Sequence, residues 1–452
     1  MNEKKSNIGQ QPIRDARTLG IPKMLILGLQ HMFAMFGATV LVPILVQSYG
    51  LPLSIQTTLF FAGIGTLFFH VCTKMKVPAF LGSSFAFLGG FAAMGAMDQG
   101  IYAAMDASEK LQYACGGIVA AGLLYVVLAA IIKAVGVHKV MHYLPPVVTG
   151  PIIILIGLNL APSAVSNAST CWWLALVAMA IIIVANIWGK GMIKIIPILL
   201  GVVGSYIVAL IAGKVDFSTM EGVAIVGLQP FFTDFGGSIA KFDISAILVM
   251  APIAIASMME HIGDMSAISA TVGENFIEDP GLHRTLIGDG IATSLSALFG
   301  GPANTTYGEN TGVLVLSKVH DPRVIRLAAV YALVLSFSPW FAAFINSIPA
   351  AIIGGVSFIL YGMISAIGVR NVVENQVDFT NSRNLIIAAV ILVCGLGFTG
   401  GLTFQVGGAS ITLTSLAIAA IAGIILNAIL PGNDFRFGKS ANSDASANLG
   451  QY

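Results

Sequence analysis

Apolar residues arrive in this chain in blocks of about 20, the helical length that crosses a bilayer core of roughly 30 Å. Such stretches run near 24–48, 54–73, 112–134, 144–162, 172–189, 192–212, 244–268, 284–299, 325–345, 347–368, 383–399 and 408–430. Two further segments, 78–93 and 301–317, are apolar enough to enter a membrane but too interrupted by Pro and Gly to form full-length helices. Together they predict an all-α polytopic membrane protein of 14 transmembrane segments. Only 10% of the 452 residues are charged, against about 25% in soluble domains.

An even number of crossings puts both termini on one side. Placing that side in the cytoplasm gathers Lys4, Lys5, Arg14, Arg17, Lys23, Lys74, Lys76, Lys133, Lys139, Lys190, Lys194, Arg284, Lys318, Arg323, Arg326, Arg370, Arg383, Arg436 and Lys439 inside. Lys110, Lys214 and Lys241 fall outside. Short inner loops carry such an excess, and a miscounted span would scramble it. Residues 1–23 therefore read as a cytoplasmic tail, and 431–452, with the run NSDASAN, as a disordered one. The outer stretch 213–243 has room for a small interfacial or strand-like element.

Several function classes fall away. A net charge of +1 argues against nucleic acid, which takes a clustered basic surface. Cys72, Cys115, Cys171 and Cys394 stand singly, with no CxxC pair, so neither a metal site nor a disulfide framework is expected. No HExxH, GxSxG or P-loop pattern points to an enzyme, and no cofactor is expected.

The two halves echo each other. PAFLGSSFAF (78–87) and PANTTYGEN (302–310) share Pro-Ala, then two hydroxyl residues, then an aromatic. Gln30-His31 with Met35 matches Glu260-His261 with Met265, and Pro145 with Gly150 matches Pro349 with Gly354. Seven spans per half is odd, so the second half inserts upside down. This 7+7 inverted repeat is common in secondary transporters, where interrupted segments at corresponding positions mark the binding site. Here those segments are the third and tenth, each expected as a short strand plus half-helix. Their free backbone groups could meet near the midplane and suit a polar or partly anionic substrate atom. Phe85 and Tyr307 could lie against the face of a planar heterocycle.

Four acids fall inside predicted spans: Glu260, Asp264, Asp289 and Glu309. A carboxylate at a helix centre costs roughly 2.5–3.5 kcal/mol on insertion scales, so each asks for a reason. Glu260 and Asp264, four apart, share one face of the eighth helix. A glutamate so placed can take a proton from one side and release it to the other. Glu260, Asp264 and Glu309 are the candidates for proton coupling. Asp289, between two glycines, reads as orienting the broken segments, and His31 and His261 read as polar packing groups or as site residues.

QHMFAMFGATVLVP (30–43), GSSFAF (82–87), EHIGD (260–264), EDPGLHR (278–284) and NTTYGENTG (304–312) resemble the bacterial uracil permeases of the nucleobase–ascorbate transporter family. The family signature, Gln/Glu-Asn-x-Gly followed by Thr/Ser and a basic residue, stands as Glu309-Asn310-Thr311-Gly312 and Ser317-Lys318. The resemblance implies a core domain of residues 24–134 and 244–345 and a gate domain of 135–243 and 346–430, moving against each other in alternating access. It implies proton-coupled uracil import across the bacterial cytoplasmic membrane. Glu260 and Glu309 would hydrogen-bond the base, the backbone at Phe85 and Gly308 would contribute, the Phe85 ring would line the pocket, and Ala38 and Tyr361 would lie close by. A homodimer through the gate domain is also implied. Uracil permeases often carry His where this chain has Asp264. Purine-transporting relatives often carry an acid there but Gln at position 309, which leaves xanthine or urate as the alternative cargo. Sulfate and bicarbonate exchangers share the architecture, but they want a positive site.

Overall fold

In the computed structural model of the chain, residues 12–98, 100–406, 409–433 and 435 are described. Expectations for residues 1–11 and 436–452 lie outside them. Along the chain run helices α1 (Ile21–Ser48) and α2 (Ile55–Cys72), strand β1 (Leu81–Ser83), and helices α3 (Leu88–Gly95) and α4 (Ala107–Val135). There follow α5 (Pro146–Ser169), α6 (Trp172–Ile187), α7 (Pro197–Ile211), α8 (Ile253–Val272) and α9 (Leu282–Leu298). Strand β2 (Asn304–Thr306) leads into α10 (Gly308–Ser317), α11 (Pro322–Ser336), α12 (Ala350–Glu374) and α13 (Ser382–Gly397). A hairpin of β3 (Leu402–Val406) and β4 (Ala409–Leu413) precedes α14 (Ser415–Ile429).

Among the described residues, six helices are long and apolar enough to cross a membrane: α1, α2, α4, α5, α12 and the run Ile244–Val272 that ends in α8. The pair of α11 and the short helix Pro339–Asn346, bent by 88°, makes a seventh. Helix starts follow local chemistry. Ser54, Asp106, Asp321, Asn381 and Thr414 each accept a backbone N–H from the first turn they cap. Pro22, Pro146, Pro197 and Pro322 sit in first turns, where a missing N–H costs nothing.

Two expectations change. The stretch 325–345 is not one helix: it breaks at Phe337–Ser338, because Pro339 disfavours helical backbone in the residue before it. The span expected at 408–430 starts only at Ser415, because Ala409–Leu413 pairs as a strand with Leu402–Val406. The outer stretch 213–243, for which a small interfacial or strand-like element is expected, holds short helical turns at Ser218–Met220, Pro230–Thr233 and Phe235–Ser238, with no strand among its described residues.

Close helix contacts are made where side chains are small, as lipid-embedded packing requires. A Cβ on Gly368 would stand 2.7 Å from the carbonyl oxygen of Gly150, and one on Gly354 would stand 2.7 Å from Cα of Ala168. The start of α5 therefore meets the end of α12, and the start of α12 meets the end of α5, so the two run antiparallel. Between α4 and α9, a Cβ on Gly290 would stand 2.6 Å from the Gly122 carbonyl oxygen. Leu123, Val127, Leu176 and Ile183 point outward and are exposed.

Candidate functional site

The two Pro- and Gly-rich segments meet backbone to backbone. β1 and β2 pair antiparallel in the register Leu81↔Thr306, Gly82↔Thr305 and Ser83↔Asn304. The ladder is extended by Ser84 N donating to Ala303 O at 2.8 Å and Tyr307 N donating to Phe80 O at 3.0 Å. This pairing satisfies buried peptide groups that would otherwise be left without partners. Beyond β1 the chain enters a single turn at Phe85–Phe87 and then α3; beyond β2 it enters α10.

Side chains fasten the crossing to its surroundings. Asn304 Nδ2 donates to Phe61 O on α2 and Ala292 O on α9, both at 3.3 Å. Thr293 Oγ1 bonds both the N–H and the C=O of Asn304. On the other strand, the Thr66 hydroxyl does the same for Leu81. The Tyr307 hydroxyl donates to Ser83 O at 2.9 Å, and Thr39 Oγ1 stands 3.3 Å from it. A Cβ on Gly82 would collide with the Tyr307 ring, so glycine is what lets the ring lie flat on β1.

α8 supplies the acids. The buried Asp264 accepts from Thr306 Oγ1 at 2.8 Å. Gly308, the first residue of α10, is near the same carboxyl: its Cβ would stand 3.5 Å from Asp264 Oδ1. Glu260, one turn earlier, is half-buried. Glu309 lies in the first turn of α10; its side chain is outside the described residues. The Phe85 and Tyr361 rings meet edge-on, centroids 6.0 Å apart, both at most 5% exposed. Ala38 is fully buried on α1. The broken segments, α8 and α12 thus converge on one place, closed by Phe85 against Tyr361.

The neighbouring polar groups are engaged with one another. His261 Nε2 lies 2.9 Å from Thr285 Oγ1, and its Nδ1 lies 2.9 Å from Asp289 Oδ2. Asn310 Nδ2 donates to the His31 carbonyl at 3.1 Å, joining α10 to α1. Sequence reasoning did not single out Thr39, Ser83, Asn304 and Thr306 as ties between segments; their partners lie up to 268 positions away. Beyond the helix ends, Ile13 bonds backbone to backbone with Lys318 and His320, clasping the end of α10. Lys76 pairs with Asp279 and holds that carboxyl below its usual range.

Residues 22–403 match the model of a permease family, Xan_ur_permease. The chain belongs to that family. This permease is 43% identical to the uracil permease of Bacillus caldolyticus, over 93% of its own length and 94% of the relative's. It is 41% identical to that of Bacillus subtilis (strain 168), over 95% and 97%. In fold it is similar to the transmembrane domain of a cyanobacterium bicarbonate transporter, BicA, with TM-score 0.58, 17% identity, and coverage of 92% of this chain and 99% of that one. It is also similar to SLC26A9, with TM-score 0.60, 11% identity, and coverage of 92% and 65%. The permease is a multi-pass membrane transporter rather than an enzyme.

Proposed function

We propose that this permease imports uracil together with a proton across the bacterial cytoplasmic membrane. The observation that carries the reading is the convergence of the two broken segments on the acidic face of α8, with Gly308 beside Asp264 and Phe85 closing against Tyr361. The two named relatives, 43% and 41% identical over most of the chain, are uracil permeases, which supports uracil as cargo. Glu260 and Glu309 accept the ring N–H groups, the backbone at Phe85 and Gly308 completes the edge, the Phe85 and Tyr307 rings flank the base, and Ala38 and Tyr361 bound it. Glu260, Asp264 and Glu309 carry the coupled proton.

In this reading the chain is two inverted sets of seven segments. The seven long or bent spans, the shorter apolar helices α3, α6, α7, α13 and α14, and α9 and α10 supply the fourteen. Both termini are cytoplasmic. Phe85 belongs to the core (24–134 and 244–345) and Tyr361 to the gate (135–243 and 346–430), so their contact parts when core moves against gate and a base enters. Two copies associate through the gate.

Uptake of labelled uracil by cells expressing the permease tests this. Accumulation should collapse when the proton gradient is dissipated, and excess unlabelled uracil should block it. Inhibition by xanthine but not by uracil would move the cargo to the purine side of the family. Uptake indifferent to the gradient would remove the proton.

A further inference from the structure

A groove of about 810 Å³ lies at the end of α4, away from the candidate site. We infer that it is a binding site for an anionic phospholipid. Its wall is apolar: Leu128, Ile131 and Val135 of α4 line it, and the last two are 45% and 49% exposed. Gly136, with φ +94°, turns the chain into a short helix, Val137–Tyr143. That helix presents His138, Lys139 and His142 to the groove. Among the described residues, none that lines it is acidic.

The groove is held in shape. Asn427 Nδ2 donates to the carbonyls of His142 (3.2 Å) and Tyr143 (3.1 Å), and Asn433 Nδ2 donates to that of His142 (2.9 Å). The Arg383 guanidinium secures Asn427 from behind, 2.8 Å from both its carbonyl and its side-chain oxygen. Phe435 closes one edge, its carbonyl 3.3 Å from His142 Nδ1. The short helix is thus clamped between α4, α13 and α14.

Charge complementarity selects the occupant. A lysine with two histidines beside it, set against apolar walls at a membrane rim, matches a ligand with acyl chains and a negative headgroup. A free anion would leave the walls bare. The chain's own continuation begins with Arg436 and Lys439, which bring the wrong sign. The inference is independent of the cargo.

Native mass spectrometry and thermal melting of the full-length protein test it, with phosphatidylglycerol, phosphatidylcholine of the same acyl chains, and inorganic phosphate as probes. Phosphatidylglycerol should be retained preferentially and should raise the melting temperature. Lys139 is exposed, so Lys139→Gln should melt normally without lipid. It should bind phosphatidylglycerol about fivefold more weakly, the worth of one cation near an anionic surface. Equal retention of phosphatidylcholine, the same stabilisation by phosphate alone, or an unchanged preference in Lys139→Gln would each overturn the assignment.

Discussion

The Thr306 hydroxyl donates to Asp264 Oδ2 at 2.8 Å, tying β2 to the face of α8 one turn beyond Glu260. The bond joins the broken segment to the acidic helix at the start of α10, so any change at Asp264 reaches both. Asparagine in its place keeps one oxygen able to accept from Thr306 but cannot release a proton. Asp264→Asn should therefore fold, and its uptake should follow pH differently from the native profile. A superimposable pH profile, measured as initial uptake rates in vesicles, would reduce Asp264 to a packing role. Thr306→Val removes the donor outright and should cost about 1–3 kcal/mol, the range for leaving a buried acceptor short of its partner, read from denaturation midpoints.

Glycine at 82 is a packing requirement with a ready control. A Cβ there would strike the Tyr307 ring and stand 2.7 Å from Thr39 Oγ1, whereas one on Gly89 would meet nothing within 4 Å. Gly82→Ala should destabilise by about 1–3 kcal/mol, as overpacked cores do, and Gly89→Ala far less. Comparable melting temperatures for the two variants would mean that the ring can move aside freely.

Tyr307 tests whether the crossing of the strands works as a unit. Its hydroxyl donates to Ser83 O across the sheet, so Tyr307→Phe leaves a buried carbonyl short of a partner while keeping the ring. The expected loss is about 1–2 kcal/mol of stability. Since Ser83 is two residues from Phe85, uptake KM should also rise. Native KM together with native melting behaviour would show the bond to be dispensable.

Length and hydropathy made most of the helices legible, because a bilayer asks for one thing over about 20 residues. The break at Phe337–Ser338 was written in Ser338-Pro339 but outweighed by the apolar run around it. Ala409–Leu413 alternates small or hydroxyl residues with Ile and Leu, a strand pattern hidden at the head of an apolar block. Both short strands lie inside the Pro- and Gly-rich segments that stood out on reading. What could not be read was which side chains hold them. The partnerships of Tyr307 with Ser83 and of Asn304 with Phe61 span 224 and 243 positions, and nothing local encodes such pairs. For the same reason an aromatic that could have faced only a ligand also has its hydroxyl committed to the scaffold.

The two glutamates separate binding from accumulation. A carboxylate accepts a ring N–H in a charge-assisted bond, roughly twice as strong as the neutral bond an amide oxygen makes. In the proposed site Glu309 sits at the head of α10 beside Gly308, and Glu260 on the opposing face of α8. Glu309→Gln should abolish most uracil binding, seen as loss of ligand-induced thermal stabilisation, since only a ligand favouring the native state raises the midpoint. Glu260→Gln should lose accumulation against a gradient. If it still binds uracil while transport no longer responds to pH, Glu260 serves coupling more than recognition. If Glu309→Gln keeps its full thermal shift with uracil, Glu309 does not touch the base, and recognition would have to come from α8 and the backbone at Phe85 and Gly308.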